Sequence, residues 1–165
     1  MALVMEDKLM NIHFQPITQE QAEQIAYHWH YEGIYAFYNM EADEEDLVEF
    51  LNPEIQKDSI LAAVTPNNEL IGFLSIHKPV HDIAEIGLGL RPDLTGRGMG
   101  LVFLLKGIEF VKERYSPLSI TLAVATFNKR AITVYKRSGF VEEETFIQTT
   151  NGSKYEFVKM KLNCV

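Results

Sequence analysis

From Asp82 to Ala125 the chain reads as strand, glycine-rich turn, helix and strand, and no other stretch constrains the fold as tightly. "DIAEIGLGLRP" is β-prone until Pro92, which cannot donate to a ladder. "LTGRGMG" follows at 94–100, with Gly96, Gly98 and Gly100 at every second position. Leu101, Leu104, Leu105, Ile108 and Val111 then recur at helical spacing, an apolar stripe on a helix of about four turns that should pack on a sheet. "SITLAVA" resumes the pattern of a strand. A helix joining two strands is the crossover that lets them pair in parallel.

The remaining segments arrange themselves around this unit. "NIHFQPI" suggests a first strand, and Thr18 followed by Gln21 matches a capping box opening a helix from about Gln19 to His30. Asp43, Glu44 and Glu45 sit where a helix dipole favours acids, and Pro53 marks the end of that second short helix. "SILAAVT" and "LIGFLSIHK" flank the turn-rich "PNNE", a hairpin. "NKRAITVYKRSGF" reads as a helix capped by Asn128 and closed by Gly139. Asn151-Gly152 between two alternating runs is a strong hairpin signal. The order β, α, α, three strands, α, β, α, β, β describes one α/β (α+β) domain, a mixed, mostly antiparallel sheet of about six or seven strands flanked by about four helices. Residues 1–10 read as a flexible tail and 11–165 as the domain.

Length agrees, since 165 residues suit a single core. The net charge of −8 disfavours nucleic acid and membrane surfaces as partners and favours cationic ones. One cysteine, Cys164, excludes an internal disulfide framework and has no base partner in the sequence, and no secretory leader is visible, so a cytoplasmic location is expected. His28 with His30, and His77 with His81, lack the spacing of a metal site, and no metal is expected.

The glycine turn fits neither common nucleotide loop. Counting from Gly96 or Gly98, a G-x-G-x-x-G fingerprint needs glycine at 101 or 103, where Leu101 and Phe103 stand. No Gly-Lys pair exists for a Walker loop. What remains is a turn with uncovered amides ahead of a helix N-terminus, a setting for a pyrophosphate, with Arg97 as an added cation. The other reading is a turn that merely joins strand to helix.

Here the sequence resembles the GNAT superfamily of acyl-CoA-dependent N-acyltransferases, whose pyrophosphate loop follows Arg/Gln-x-x-Gly-x-Gly/Ala. Thr95, Gly96, Arg97, Gly98, Met99 and Gly100 match it at both glycines and depart at the first position, where Thr95 replaces Arg or Gln. Asn128, Ala131, Tyr135 and Gly139-Phe140 resemble the family's later helix and strand. The resemblance is clear from about Ile83 to Val141, and residues 19–55 carry no motif of it.

The resemblance implies a GNAT-like fold and direct transfer of an acetyl group from acetyl-CoA to a primary amine in a ternary complex. Glu85 is the implied base, placed before a bulge made plausible by Gly87 and Gly89, although a water relay or an outward-facing Glu85 stays open. A backbone N–H near Leu88 would stabilise the thioester oxygen, and the backbone of Leu88 and Leu90 would pair with the pantetheine arm. Tyr135 is the implied acid for the departing thiolate, and Asn128 a helix cap that also hydrogen-bonds CoA. Tyr31, Tyr35 and Tyr38, beside the acidic run at 43–46, are read as the wall of a pocket for a small-molecule or peptide amine. The alternatives are a CoA-binding sensor or interaction module without turnover and, among enzymes, a protein N-terminal acetyltransferase. An exposed edge in the late strand pair leaves room for a homodimer.

Overall fold

The computed structural model describes residues 2–165, and the side chains of all of these except 2–4, 6, 58, 78 and 79. Seven strands form one sheet: β1 (His13–Pro16), β2 (Ile60–Val64), β3 (Leu70–Val80), β4 (Ile83–Leu90), β5 (Ser119–Ala125), β6 (Val141–Thr150) and β7 (Ser153–Asn163). Their spatial order is β1-β2-β3-β4-β5-β7-β6. The helices are α1 (Ala2–Met10), α2 (Gln19–His28), α3 (Glu44–Leu51), α4 (Pro53–Ser59), α5 (Met99–Tyr115) and α6 (Lys129–Arg137). Short 3-10 turns cover Gly33–Tyr38, Met40–Ala42 and Pro92–Leu94.

The signals read from the sequence act locally as expected. Thr18 accepts from Gln21 N and Gln21 returns the bond to the Thr18 amide, starting α2. Asn128 Oδ1 accepts from Ala131 N at 3.1 Å, starting α6, and Gly139 ends it at φ 105°. Asn151 and Gly152 hold φ of 51° and 76°, as a two-residue hairpin between β6 and β7 requires. The lone parallel pair among the described residues is β4 with β5, joined through α5.

Four expectations need correction. Residues 2–10 are not a flexible tail: they form α1, and Leu9 is fully buried in a cluster with Ile71, Leu94, Met99 and Phe103. Pro53 ends α3 but also opens α4, because its missing N–H costs nothing in a first helical turn and Asn52 Oδ1 caps Glu54 N. Helix α2 ends at His28, two residues early, with Trp29 buried behind it. On α5 the buried face is Met99, Phe103, Leu104, Gly107, Ile108 and Val111, so Leu105 points outward at 46% exposure.

The sheet carries helices on both faces. Helices α5 and α6 bury Leu74, Ile76, Ala84, Ile86, Ile120, Leu122 and Val124 on one side. Helices α2 and α3 cover Ile60, Ala62, Val64 and Leu70 on the other. Strand β4 pairs with β5 only over Ile83–Glu85, opposite Ser119–Thr121, while its pairing with β3 continues without a break from Glu85 to Leu90. From Ile86 onward β4 and β5 therefore diverge, and the sheet opens into a cleft.

Candidate active site

The cleft begins where β4 leaves β5 and ends at the glycine turn. Gly98 caps α5 in the left-handed conformation, φ 76° and ψ 1°, and Gly96 lies at φ 73°. Both are conformations that a side chain with a Cβ resists. A Cβ added at Gly98 or Gly100 would meet no atom within 4 Å, so the backbone there borders open space. The first turn of α5 holds no acidic residue, which leaves the positive end of a 17-residue helix available to an anion. A groove of ≈ 190 Å³ runs past Leu88, Leu90, Thr95, Gly96, Gly98, Gly100, Asn128, Arg130 and Tyr135.

Met99 and Arg97 depart from the expected set. Met99 points into the core and can offer only backbone, and Arg97 is exposed and lines neither this groove nor the larger cavity beside it. Arg91, just before the turn, is committed elsewhere: its Nε donates to Asp93 Oδ1 at 2.6 Å and its Nη1 to Glu69 Oε2 at 2.9 Å. Thr95 Oγ1 donates to the Pro92 carbonyl at 2.7 Å. The cation at the groove is Arg130, in the first turn of α6. Its Nη1 lies 3.3 Å from where a Gly96 Cβ would be, and its guanidinium sits 4.0 Å above the Tyr35 ring. Among the described residues lining either space, Arg130 alone carries a permanent positive charge. Sequence reasoning misses it because Arg130 and Gly96 are far apart in the chain.

The groove opens into a cavity of ≈ 560 Å³ that shares Leu88, Leu90, Asn128, Arg130 and Tyr135 with it. Tyr31, Tyr35 and Tyr38 all line this cavity, with Asp46 and Glu49 of α3, Ser75 and His77 of β3, and Gln148, Thr150 and Asn151 of the last hairpin. The segment carrying the tyrosines is pinned from outside. Tyr31 Oη donates to the Leu90 carbonyl at 2.8 Å, and Asn151 Nδ2 donates to the Phe37 carbonyl at 2.8 Å. Asn128 Nδ2 donates to Tyr38 Oη at 3.2 Å, and Thr150 Oγ1 to Asp43 Oδ2 at 3.2 Å. Phe37 packs edge-on against Phe127 and Tyr155. The Tyr31 hydroxyl is thus occupied in holding the end of β4, and burial pushes its pKa up.

Glu85 lies outside the cavity lining. It is exposed, opposite His77 on β3 and on the strand face shared by Gly87 and Gly89, and of this pair His77 lines the cavity and Glu85 does not. No register break occurs at Gly87 or Gly89. The expected bulge is replaced by the divergence of β4 from β5, and the one β3–β4 irregularity lies between His77 and Val80. Gly87 and Gly89 serve close approach instead, since a Cβ at Gly87 would meet Ser75 Oγ at 2.6 Å and one at Gly89 would collide with the Phe73 ring.

Electrostatics divide the cavity. Burial, with Asp43 beside it, pushes Asp46 up to about 6. Burial drives Tyr135 strongly upward, and Tyr38 adds to the effect. Tyr38 is also raised by burial, but hydrogen bonds from Asn128 and the Ala125 backbone pull it partly back. Among the described residues no three His, Cys, Asp or Glu side chains converge as metal ligands. Among them, too, no helix is long and apolar enough to cross a membrane. Cys164 is half-buried, and burial pushes its thiol up.

Residues 11–141 match the family model described as acetyltransferase (GNAT) domain. The chain belongs to the GNAT family. Its fold is similar to the spermidine N-acetyltransferase of Vibrio cholerae solved with CoA and spermine, at 17% identity and TM-score 0.70 over 93% of this chain and 95% of that one. A GNAT acetyltransferase of Bacillus anthracis is similar at 14% identity and TM-score 0.72 over the same shares, 93% and 95%. By sequence, the chain is 42% identical over 64 residues to an uncharacterized N-acetyltransferase of Methanocaldococcus jannaschii, which is 38% of this chain and 28% of that protein. It is 38% identical over 84 residues to the mycothiol acetyltransferase of Streptomyces coelicolor, 48% of this chain and 26% of that protein. The matched stretch thus spans about a quarter of the length of these curated relatives. The single mixed sheet, mostly antiparallel and opened between β4 and β5, is the GNAT fold expected from the sequence.

Proposed function

We propose that this GNAT domain transfers an acetyl group from acetyl-CoA to the primary amine of a cationic small molecule or peptide. The observation that carries this reading is the continuity of two spaces: the glycine turn borders the same cleft as an aromatic and acidic cavity, with Asn128, Arg130 and Tyr135 between them. The donor supplies an activated acyl group as a thioester. The chain's own residues fit such a molecule: the amides around Gly96, Gly98 and Gly100 with Arg130 hold its phosphates, and the diverging edge of β4 at Leu88 offers backbone to its arm.

Each chemical demand has a residue. The acceptor must lose a proton from an ammonium group of reference pKa about 10.4. His77, which lines the cavity, takes that proton, and Glu85, its cross-strand neighbour, passes it onward through water. A backbone N–H at Leu88 meets the charge that builds on the thioester oxygen. Tyr135 donates to the departing sulfur. Asp46 and Glu49 attract the acceptor's charge, and Tyr35 walls it in. The Vibrio cholerae neighbour was solved with spermine beside CoA, which is consistent with a polycationic acceptor for this chain.

The test is thiol release from acetyl-CoA with a panel of polyamines, amino sugars and short peptides. Turnover with cationic small amines supports the reading. Turnover confined to peptide N-termini would redirect it to protein acetylation, and binding without turnover to any amine would leave a CoA sensor.

A further inference from the structure

We infer that Tyr38 is a second proton-handling hydroxyl at the reaction centre, working with Tyr135 as one unit to protonate the departing thiolate; this rests on the function proposed above. The geometry begins with Asn128, whose two polar atoms are both used. Its Oδ1 accepts from Ala131 N at 3.1 Å, which fixes the amide, and its Nδ2 then donates to Tyr38 Oη at 3.2 Å. The Tyr38 oxygen is therefore an acceptor in that bond, and its own O–H finds no protein acceptor among the described residues. Tyr38 lines the cavity that Tyr135 also lines.

Tyr135 lies seven positions after Asn128, about two helical turns. Its ring packs against Phe140 while Tyr135 lines both the cavity and the adjoining groove, near enough to Tyr38 for the two to act on one another electrostatically. Among the described residues no hydrogen bond reaches the Tyr135 hydroxyl, whereas Tyr38 is held by the Asn128 side chain and by the Ala125 backbone. The two hydroxyls therefore differ in how well they tolerate losing a proton. An anion on Tyr135 would be desolvated and unsupported, while an anion on Tyr38 would keep the Asn128 amide.

The step balances without a further reagent. The neutral amine forms the C–N bond, the C–S bond breaks, and sulfur takes the proton of the Tyr135 O–H. Tyr38 makes good that proton through cavity water, and the tyrosinate then held on Tyr38 by Asn128 recovers the proton that the amine releases to solvent. The titratable and charged groups facing Tyr38 are Tyr35 on its own segment, Tyr135 and Arg130 on α6, and Asp46, Glu49 and His77 across the cavity.

The experiment compares wild type, Tyr38→Phe, Tyr135→Phe and the double variant, each of which keeps the aromatic packing. Two readouts are taken: kcat for a saturating amine, and the affinity for free CoA as a function of pH. Tyrosines that hydrogen-bond the sulfur favour bound thiolate, so wild-type CoA affinity should rise with pH up to the pKa of the free CoA thiol. Tyr38→Phe should flatten that rise and lower kcat about a hundredfold, the scale of general acid catalysis. The double variant should lose no more than the worse single one, because groups acting as a unit are not additive. Wild-type-like kcat and an unchanged pH profile in Tyr38→Phe would overturn the inference while leaving the acetyltransferase reading intact, as would losses that multiply in the double variant. Failure of the wild type to bind CoA at all would overturn both.

Discussion

The two walls of the cleft are built by opposite means. The wall formed by the glycine turn and α6 is fixed by local chemistry: Gly96 and Gly98 at positive φ, Asn128 capping α6, and Gly139 closing it at φ 105°. The wall formed by residues 31–43 has little structure of its own beyond two 3-10 turns, and is held by hydrogen bonds across long stretches of chain. Tyr31 reaches 59 residues to Leu90, Tyr38 reaches 90 to Asn128, Asp43 reaches 107 to Thr150 and Phe37 reaches 114 to Asn151. A self-defined loop suits an invariant partner such as a phosphate, and a wall tied down by tertiary contacts can change its chemistry without disturbing that loop.

Substitutions should separate the walls, beginning with the largest effect. Gly96→Val forces a β-branched residue into the left-handed region and pushes against Arg130, at a cost of about 1–3 kcal/mol in stability. It should also weaken acetyl-CoA binding at least about tenfold, since the new side chain stands in the groove, an effect of about 1.4 kcal/mol. Calorimetry and a thermal melt on one preparation read both numbers. Arg130→Gln should raise the acetyl-CoA KM about tenfold, the scale of a lost charge-assisted hydrogen bond, with kcat little changed. The wild-type KM should rise with salt more steeply than that of the variant, because screening acts on the charge removed.

The other wall responds to pH. Asp46 is raised to about 6, so between about 4 and 6 the folded protein binds a proton more readily than the unfolded chain, and this group makes stability fall as pH rises through that window. A cationic acceptor prefers the carboxylate, so its KM should drop as pH rises through about 6. Asp46→Asn should raise the acceptor KM several-fold and remove this dependence, leaving the acetyl-CoA KM unchanged. The smallest effect lies outside the cleft. Thr18→Ala removes one arm of the capping box and should cost about 1 kcal/mol in a denaturant melt without moving either KM.

The same division explains what the sequence could convey. Thr18 with Gln21, Asn151 with Gly152 and Asn128 with Ala131 each encode their structure within a few residues, and each forms as read. Gly96 and Gly98 likewise announce their turn. The position of Arg130 against Gly96 is invisible locally, because it depends on how α6 packs beside α5. His77 lacks metal-site spacing in the sequence, and its place opposite Glu85 follows only from the β3–β4 register. Little in residues 2–10 signals helix α1, and burial of Leu9 against Ile71 and Phe103 supplies what local signals lack. The divergence of β4 from β5 has no sequence mark beyond Gly87 and Gly89, whose small size serves Ser75 and Phe73.

The most direct test of the central claim is a calorimetric titration with acetyl-CoA of the wild type, Gly96→Val and Arg130→Gln. The account predicts one molecule bound per chain, at least about tenfold more weakly in either variant, with the Arg130→Gln deficit shrinking as salt is added. Absence of binding at millimolar acetyl-CoA, or binding that neither substitution weakens, would contradict the assignment of the glycine turn to the cofactor's phosphates.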